Sequence, residues 1–260
     1  MIGTSSSRPT ASGLVLSLRY EWHRVRTLRS SWVLLSLAAL TGALAYLNGA
    51  TSHASGLGGR QDWAQYLDSG FPLLSMFCGI AGATTIGQEY RHGTMPILLG
   101  LVPNRRIVYL SKALAAVSFA ACAFVAAVVV GLVALEALKV LDSGHAATPA
   151  EAVQVLIGGL CACAGTALVS LGVTALTRGL FSGVLLPIAL AYVLEPILIV
   201  VLPPRSIVDA LLPFTAARTA MGVVAPVHIV SQMQSLGLFL GYVAVISGLG
   251  YARFRTAPID

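Results

Sequence analysis

The sequence predicts an all-α, polytopic membrane protein: six transmembrane helices, an amphipathic interfacial helix ahead of the first, and a short cytoplasmic helix between the second and third. Three observations predict it. Hydrophobic residues fill 57% of the 260 positions and charged residues only 10%, far below the roughly one quarter that a water-soluble surface carries. Apolar runs long enough to cross about 30 Å of hydrocarbon recur along the chain. Lysine and arginine fall mostly on alternate connections between those runs, as short cytoplasmic loops require.

Residues 1–13, rich in Ser, Thr and Gly, read as a disordered cytoplasmic tail, and residues 14–260 as one membrane domain. About thirty residues precede the first apolar run, longer than the n-region of a secretory signal, so no cleaved leader is expected. In the segment from Leu14 to Ser30, Leu14, Leu18, Trp22, Val25 and Leu28 recur at three- and four-residue steps. That spacing puts them on one helix face, with Arg19, Arg24, Arg26 and Arg29 mainly elsewhere. Such a helix lies in the headgroup region with membrane lipid as its partner.

The spans fall at about 31–48, 70–87, 113–135, 152–176, 180–202 and 234–251. Thr148-Pro149-Ala150-Glu151 reads as a capping box with proline at the first helical position, opening the fourth. The fifth contains Glu195, followed by Pro196, and an ionisable group inside a span is a functional candidate by default. Here it would serve the pathway or outer gate, pair with Arg205 or Arg218, or carry a proton; the alternative is a partly hydrated interfacial residue beside a proline kink. The stretch 207–230 is apolar but broken by Asp209, Pro213, Arg218 and Pro226, so it is not counted as a span.

Charge sets the orientation. Of the sixteen Lys and Arg residues, twelve lie in the N-terminal segment, the second and fourth loops and the C-terminal tail. The other side holds Arg60, Lys139, Arg205 and Arg218, with most of the acids. Both termini are therefore expected in the cytoplasm of a multi-pass cell-membrane protein. The net charge of +6 is topological, and no nucleic-acid partner is expected.

The stretch Gly87 to Lys112 has a polar start, a short apolar run and a basic end. Gly93 can end the second helix, and Thr94 can cap a new one with Met95 and Pro96 in its first turn. Met95 to Leu101 spans about two turns, too short to cross a bilayer. It would lie on the cytoplasmic surface, where an exposed apolar patch calls for a partner.

Glu89 to Thr94 (E-x-x-x-G-T), the apolar run, Pro103, Arg106 and Lys112 together resemble the first cytoplasmic loop of type-2 ABC transporter permeases. The motif covers about 26 residues; the basic amphipathic helix, the six spans and the broken segment before the last extend the likeness in architecture. The resemblance implies that the short helix is a coupling helix that enters a groove of a separate ATP-binding-cassette ATPase subunit. Ile97, Leu98, Leu99 and Leu101 would be its anchors, and Glu89 and Arg91 its polar contacts. It also implies a second permease copy, as homodimer or related heterodimer, and an outer gate in the broken segment, where Pro213 and Phe214 fall. ATP and Mg would bind in the ATPase. This chain has no G-x-x-x-x-G-K-[ST] phosphate loop, and no cofactor of its own is expected.

Other chemistry finds little support. Cys78, Cys122, Cys161 and Cys163 all fall in predicted spans, where Cys acts as a small buried hydrophobe. The five histidines are scattered, with no H-E-x-x-H pair and no G-x-S-x-G elbow. A secondary transporter would show inverted repeats or several buried ionisable groups, and a membrane-embedded enzyme a cluster of His, Asp or Glu at one depth. The expectation is a non-enzymatic permease subunit of an ATP-driven exporter, carrying a hydrophobic or amphipathic compound such as an antibiotic, drug or lipid-like molecule.

Overall fold

A computed structural model describes residues 11–54, 63–138, 149–201, 211–221 and 231–256, and all regular structure among them is helical. In chain order the helices are α1 (Ala11–Thr27), α2 (Arg29–Ala54), α3 (Trp63–His92), α4 (Met95–Leu101), α5 (Arg105–Leu138), α6 (Pro149–Thr177), α7 (Leu180–Ala189), α8 (Glu195–Val201), α9 (Pro213–Ala220) and α10 (Gln232–Thr256). A π-helical turn, Leu190–Leu194, joins α7 to α8 without a break.

Among the described residues, five stretches are long and apolar enough to cross a membrane: Gly70–His92, Arg105–Ala134, Val155–Thr177, Leu180–Val201 and Gln232–Thr256. A sixth is added when Ser17–Thr27 and Arg29–Ala45, which meet at a 71° bend, are taken as one broken span. The chain is thus an all-α polytopic membrane protein with five to six such segments.

The centre of the bundle is the packing of α3 against α6; α2 packs on both α5 and α3, and α10 packs mainly on α6 and α9. Lipid tails are as apolar as leucine, so helices in a bilayer gain by close approach, and small residues permit it. Gly82 of α3 shows this: a Cβ there would lie 2.1 Å from the Ala167 carbonyl oxygen of α6. Gly172 of α6 and Gly250 of α10 meet in the same way, backbone on backbone. The sequence holds two G-x-x-x-G pairs, Gly179 with Gly183 and Gly237 with Gly241; Gly183 rests against Thr174, whereas Gly237 and Gly241 face open space.

Several boundaries differ from the sequence expectation. Residues 11–13, read as tail, form the first turn of α1, while residues 1–10 lie outside the described set. α3 continues to His92, α5 begins at Arg105 rather than 113, and α10 runs to Thr256. Hydropathy marks where the hydrocarbon lies, but helical hydrogen bonding has no reason to stop there, and terminal arginines can snorkel to water. α6 does begin at Pro149; Thr148 lies outside the described residues. Cys78 and Cys163 are buried as expected, but Cys122 is exposed.

Candidate functional site

α3 ends where Gly93 takes a left-handed conformation, φ +64°, which costs glycine nothing. The Thr94 N–H then donates back to the Glu89 carbonyl, 3.1 Å, a six-to-one bond of the Schellman type. α4 starts at once, with Pro96 in its first turn, where a missing N–H is harmless. Thr94 occupies the cap position, but its side chain makes no cap hydrogen bond. Asn104 does cap α5: its Oδ1 accepts from the Arg106 N–H at 3.1 Å.

The two turns of α4 split the expected anchors. Met95 and Leu99 point into this chain's own core, and Leu98 packs against it. Ile97 and Leu101 stand 66% and 78% exposed. Leu99, 8% exposed, therefore fastens α4 to the bundle and is turned away from any partner. Arg91, Pro103 and Arg106 are exposed. A cavity of about 280 Å³ lies between α4 and α1, lined by Ser17, Tyr20, Glu89, Thr94, Ile97, Leu98, Leu101 and Val102.

Beneath this surface lies a group of charges that spacing alone did not reveal. Lys112 is 0% exposed. Its Nζ donates to Glu21 Oε1 of α1 at 2.8 Å, to the Thr85 carbonyl at 3.0 Å, and to Glu89 Oε1. Arg24 donates to Gln88 Oε1 at 2.6 Å, and to Glu89 Oε1 and the Thr85 carbonyl at 3.3 Å each. Arg24 also lies 3.5 Å from Glu21 Oε2, and the Ser17 and Ser111 hydroxyls meet at 2.7 Å. Two cations thus balance two carboxylates across α1, α3 and α5. A lone charge taken from water costs several kcal/mol (order of magnitude), and mutual pairing offsets much of it.

This arrangement revises the expectation for Lys112, for Glu89 and for the apolar face of α1. Lys112 closes no loop; it sits well inside α5. Glu89 is buried against Lys112 and Arg24, so it is no surface contact. The face of α1 that meets the bundle carries Ser17 and Glu21, with Val25 packed on the core, while Trp22 is exposed and Leu18 half-buried. The side chain of Leu14 lies outside the described set. A warning was available in the sequence: Glu21 is a lone acid in an arginine-rich segment, and Lys112 is one of only two lysines.

Glu195 occupies a second structured site. Its N–H donates to the Leu190 carbonyl, closing the π-helical turn. One extra residue in a turn shifts the phase of every downstream residue by about 100°, and Glu195 ends 2% exposed while Val193, Leu194 and Ile197 face outward. Its Oε1 accepts from the Phe214 N–H at 2.9 Å, and its Oε2 from the Thr215 N–H at 2.9 Å and the Thr215 hydroxyl at 3.1 Å. Pro213 opens α9 at its first position, so the carboxylate takes the first free amides of that helix and meets its positive end. A small cavity of about 140 Å³, bordered by Phe71, Ser75, Tyr192, Phe214 and Arg218, adjoins it. Arg205, Asp209 and Pro226 lie outside the described residues.

Among the described residues no group of three His, Cys, Asp or Glu could hold a metal ion. No curated protein matches the chain. Comparison with protein families matches residues 17–195 to the family described as ABC-2 family transporter protein. That match covers more than half of the 260 residues, from the first turns of α1 to the capping carboxylate, and takes in α4 and every member of the buried charge group. The chain belongs to the ABC-2 family of membrane transporter permeases.

Proposed function

We propose that this chain is the membrane subunit of an ATP-driven exporter of the cell membrane, with six spans, both termini in the cytoplasm, and α1 lying along the headgroups. It works with a second permease copy, identical or related, and with separate ATPase subunits that bind ATP and Mg. The cargo is a hydrophobic or amphipathic compound of the antibiotic, drug or lipid-like kind.

The observation that carries this reading is the way α4 is mounted. Its outward face offers Ile97 and Leu101 as apolar anchors, while Met95 and Leu99 lock it to the bundle. α3 and α5, to which α4 is joined at either end, are tied to α1 through Lys112, Glu89, Glu21 and Arg24. A push on α4 by the ATPase therefore tilts α3 and α5 together instead of bending a loose loop. At the far end of the pathway, the hold of Glu195 on α9 supports an outer gate built on Pro213 and Phe214. Only 11% of the Leu180–Val201 span is buried within the chain, against 67% of Val155–Thr177, which leaves an apolar face for lipid or the second permease.

Purification of the permease from its own membranes, together with identification of the proteins retained on it, tests the proposal. An ABC ATPase should be retained, and should be lost from the Ile97→Asp, Leu101→Asp double variant while the permease stays monodisperse. Full retention by that variant sinks the coupling role of α4.

A further inference from the structure

A cavity of about 750 Å³ opens between α1 and the end of α3, beside the 71° bend at Leu28. Its wall carries the basic side chains of Arg19, His23 and His92, with Arg24 beside them already paired with Glu21 and Glu89. Thr27, Thr94 and Gln88 add hydrogen-bonding groups. Glu89 borders the cavity too, but its Oε1 accepts from Lys112 and Arg24 while its Oε2 is buried without a hydrogen-bond partner among the described residues, and Glu21 faces Lys112 on another side of α1. The acids near this cleft are therefore already balanced. The Arg19 and His23 side chains make no hydrogen bond or ion pair among the described residues, and both are exposed.

The cleft also has an apolar lip. Leu28 lines it and is itself exposed, and Trp22, Trp32 and Val33 are exposed nearby in the chain on α1 and α2. The Trp32 indole N–H donates to the Arg26 carbonyl across the bend, 2.9 Å. Tryptophan with its N–H held near a polar backbone and its ring exposed is typical of the membrane–water boundary. Beyond it, Leu37, Leu40 and Leu44 continue the exposed apolar surface of α2.

We propose that this cleft binds the phosphate of an anionic phospholipid of the cytoplasmic leaflet, with Arg19 and His23 on the headgroup and Leu28 and Trp32 against the start of the acyl chains. The inference rests on the interfacial placement of α1 proposed above. A soluble phosphate would use the basic wall but gain nothing from the apolar lip. An anionic lipid uses both, and basic residues at the leaflet surface attract it at about 1 kcal/mol each, or roughly fivefold in affinity. Its occupancy would brace the α1–α2 bend and the α3 end against each other, next to the helix that meets the ATPase.

The test uses the purified full chain in detergent, without ATPase, titrated with short-chain phosphatidylglycerol, short-chain phosphatidylcholine, or inorganic phosphate while thermal unfolding is followed. Phosphatidylglycerol should raise the unfolding midpoint where phosphatidylcholine does not. Arg19→Ala should weaken that response about fivefold, and Arg19→Ala with His23→Ala should abolish it. Both side chains are exposed, so the variants should fold, and Arg255→Ala, an equal charge loss at the end of α10, should leave the response intact. An equal response to both lipids, or one that survives the double variant, overturns the proposal. A response matched by inorganic phosphate overturns the lipid assignment in favour of a soluble phosphate ligand. Quenching of Trp22 and Trp32 fluorescence by brominated lipid in vesicles separates the cleft from the placement of α1. Quenching without anionic preference removes the cleft alone, and no quenching removes the interfacial placement as well.

Discussion

The Lys112 ammonium on α5 lies 2.8 Å from the Glu21 carboxylate on α1, across 91 positions of sequence, with the lysine wholly removed from solvent. Glu89 of α3 shares the same ammonium, so three helices converge on one charge. Helices so joined move as a unit or not at all, because separating them strands a charge in an apolar interior.

Removal of Lys112 should therefore be costly. Lys112→Ala leaves Glu21 and Glu89 facing each other with only Arg24 between them, and should destabilise the protein by about 3–5 kcal/mol. Adding Glu21→Gln should recover part of that loss. Thermal unfolding of the single and double variants in detergent measures the coupling directly, and strictly additive effects would contradict the shared pairing.

The two faces of α4 should respond differently to mutation. Leu99→Ala removes a core side chain and should cost about 2–4 kcal/mol, seen as a lower unfolding midpoint of the isolated permease. Ile97→Ala and Leu101→Ala should leave that midpoint within about 0.5 kcal/mol and weaken only association with the ATPase. Equal destabilisation by all three would mean that α4 does not sit as described.

The hold of Glu195 on α9 can be weakened in two steps. Glu195→Gln keeps one carbonyl acceptor and loses the charge that faces the helix end; Glu195→Leu loses every bond to Phe214 and Thr215. Losses of about 1 and 2 kcal/mol are expected at this cap. Hydrogen exchange at the Phe214 and Thr215 amides should quicken in that order, ahead of any change in α3 or α6. Transport unaffected by Glu195→Leu would remove this contact from gating.

Glycine substitutions test the packing. Gly82→Ala places a methyl 2.1 Å from the Ala167 carbonyl oxygen, so α3 and α6 must separate, at about 1–3 kcal/mol. Gly237→Ala meets nothing within 4 Å and should be neutral, or stabilising by up to about 1 kcal/mol through helix propensity. Unfolding midpoints of the two variants should differ in sign or nearly so.

The sequence alone determined the class, the order of the long helices and the presence of a short helix over Met95–Leu101, while its exact start beside Pro96 came from the structure. Those are one-dimensional properties: apolar length, charge asymmetry and turn chemistry are all written in neighbouring residues. Only the tertiary structure decided that Lys112 is buried between Glu21 and Glu89, that Leu99 turns inward while Ile97 turns outward, and that Glu195 caps α9. Each of those depends on which helices are neighbours and on the rotational phase of each about its axis. In the fifth span the phase was reset by a single π turn that hydropathy does not register. A lysine looks alike in sequence whether it closes a loop or ties three helices together; the carboxylates that distinguish the two cases come from elsewhere in the chain.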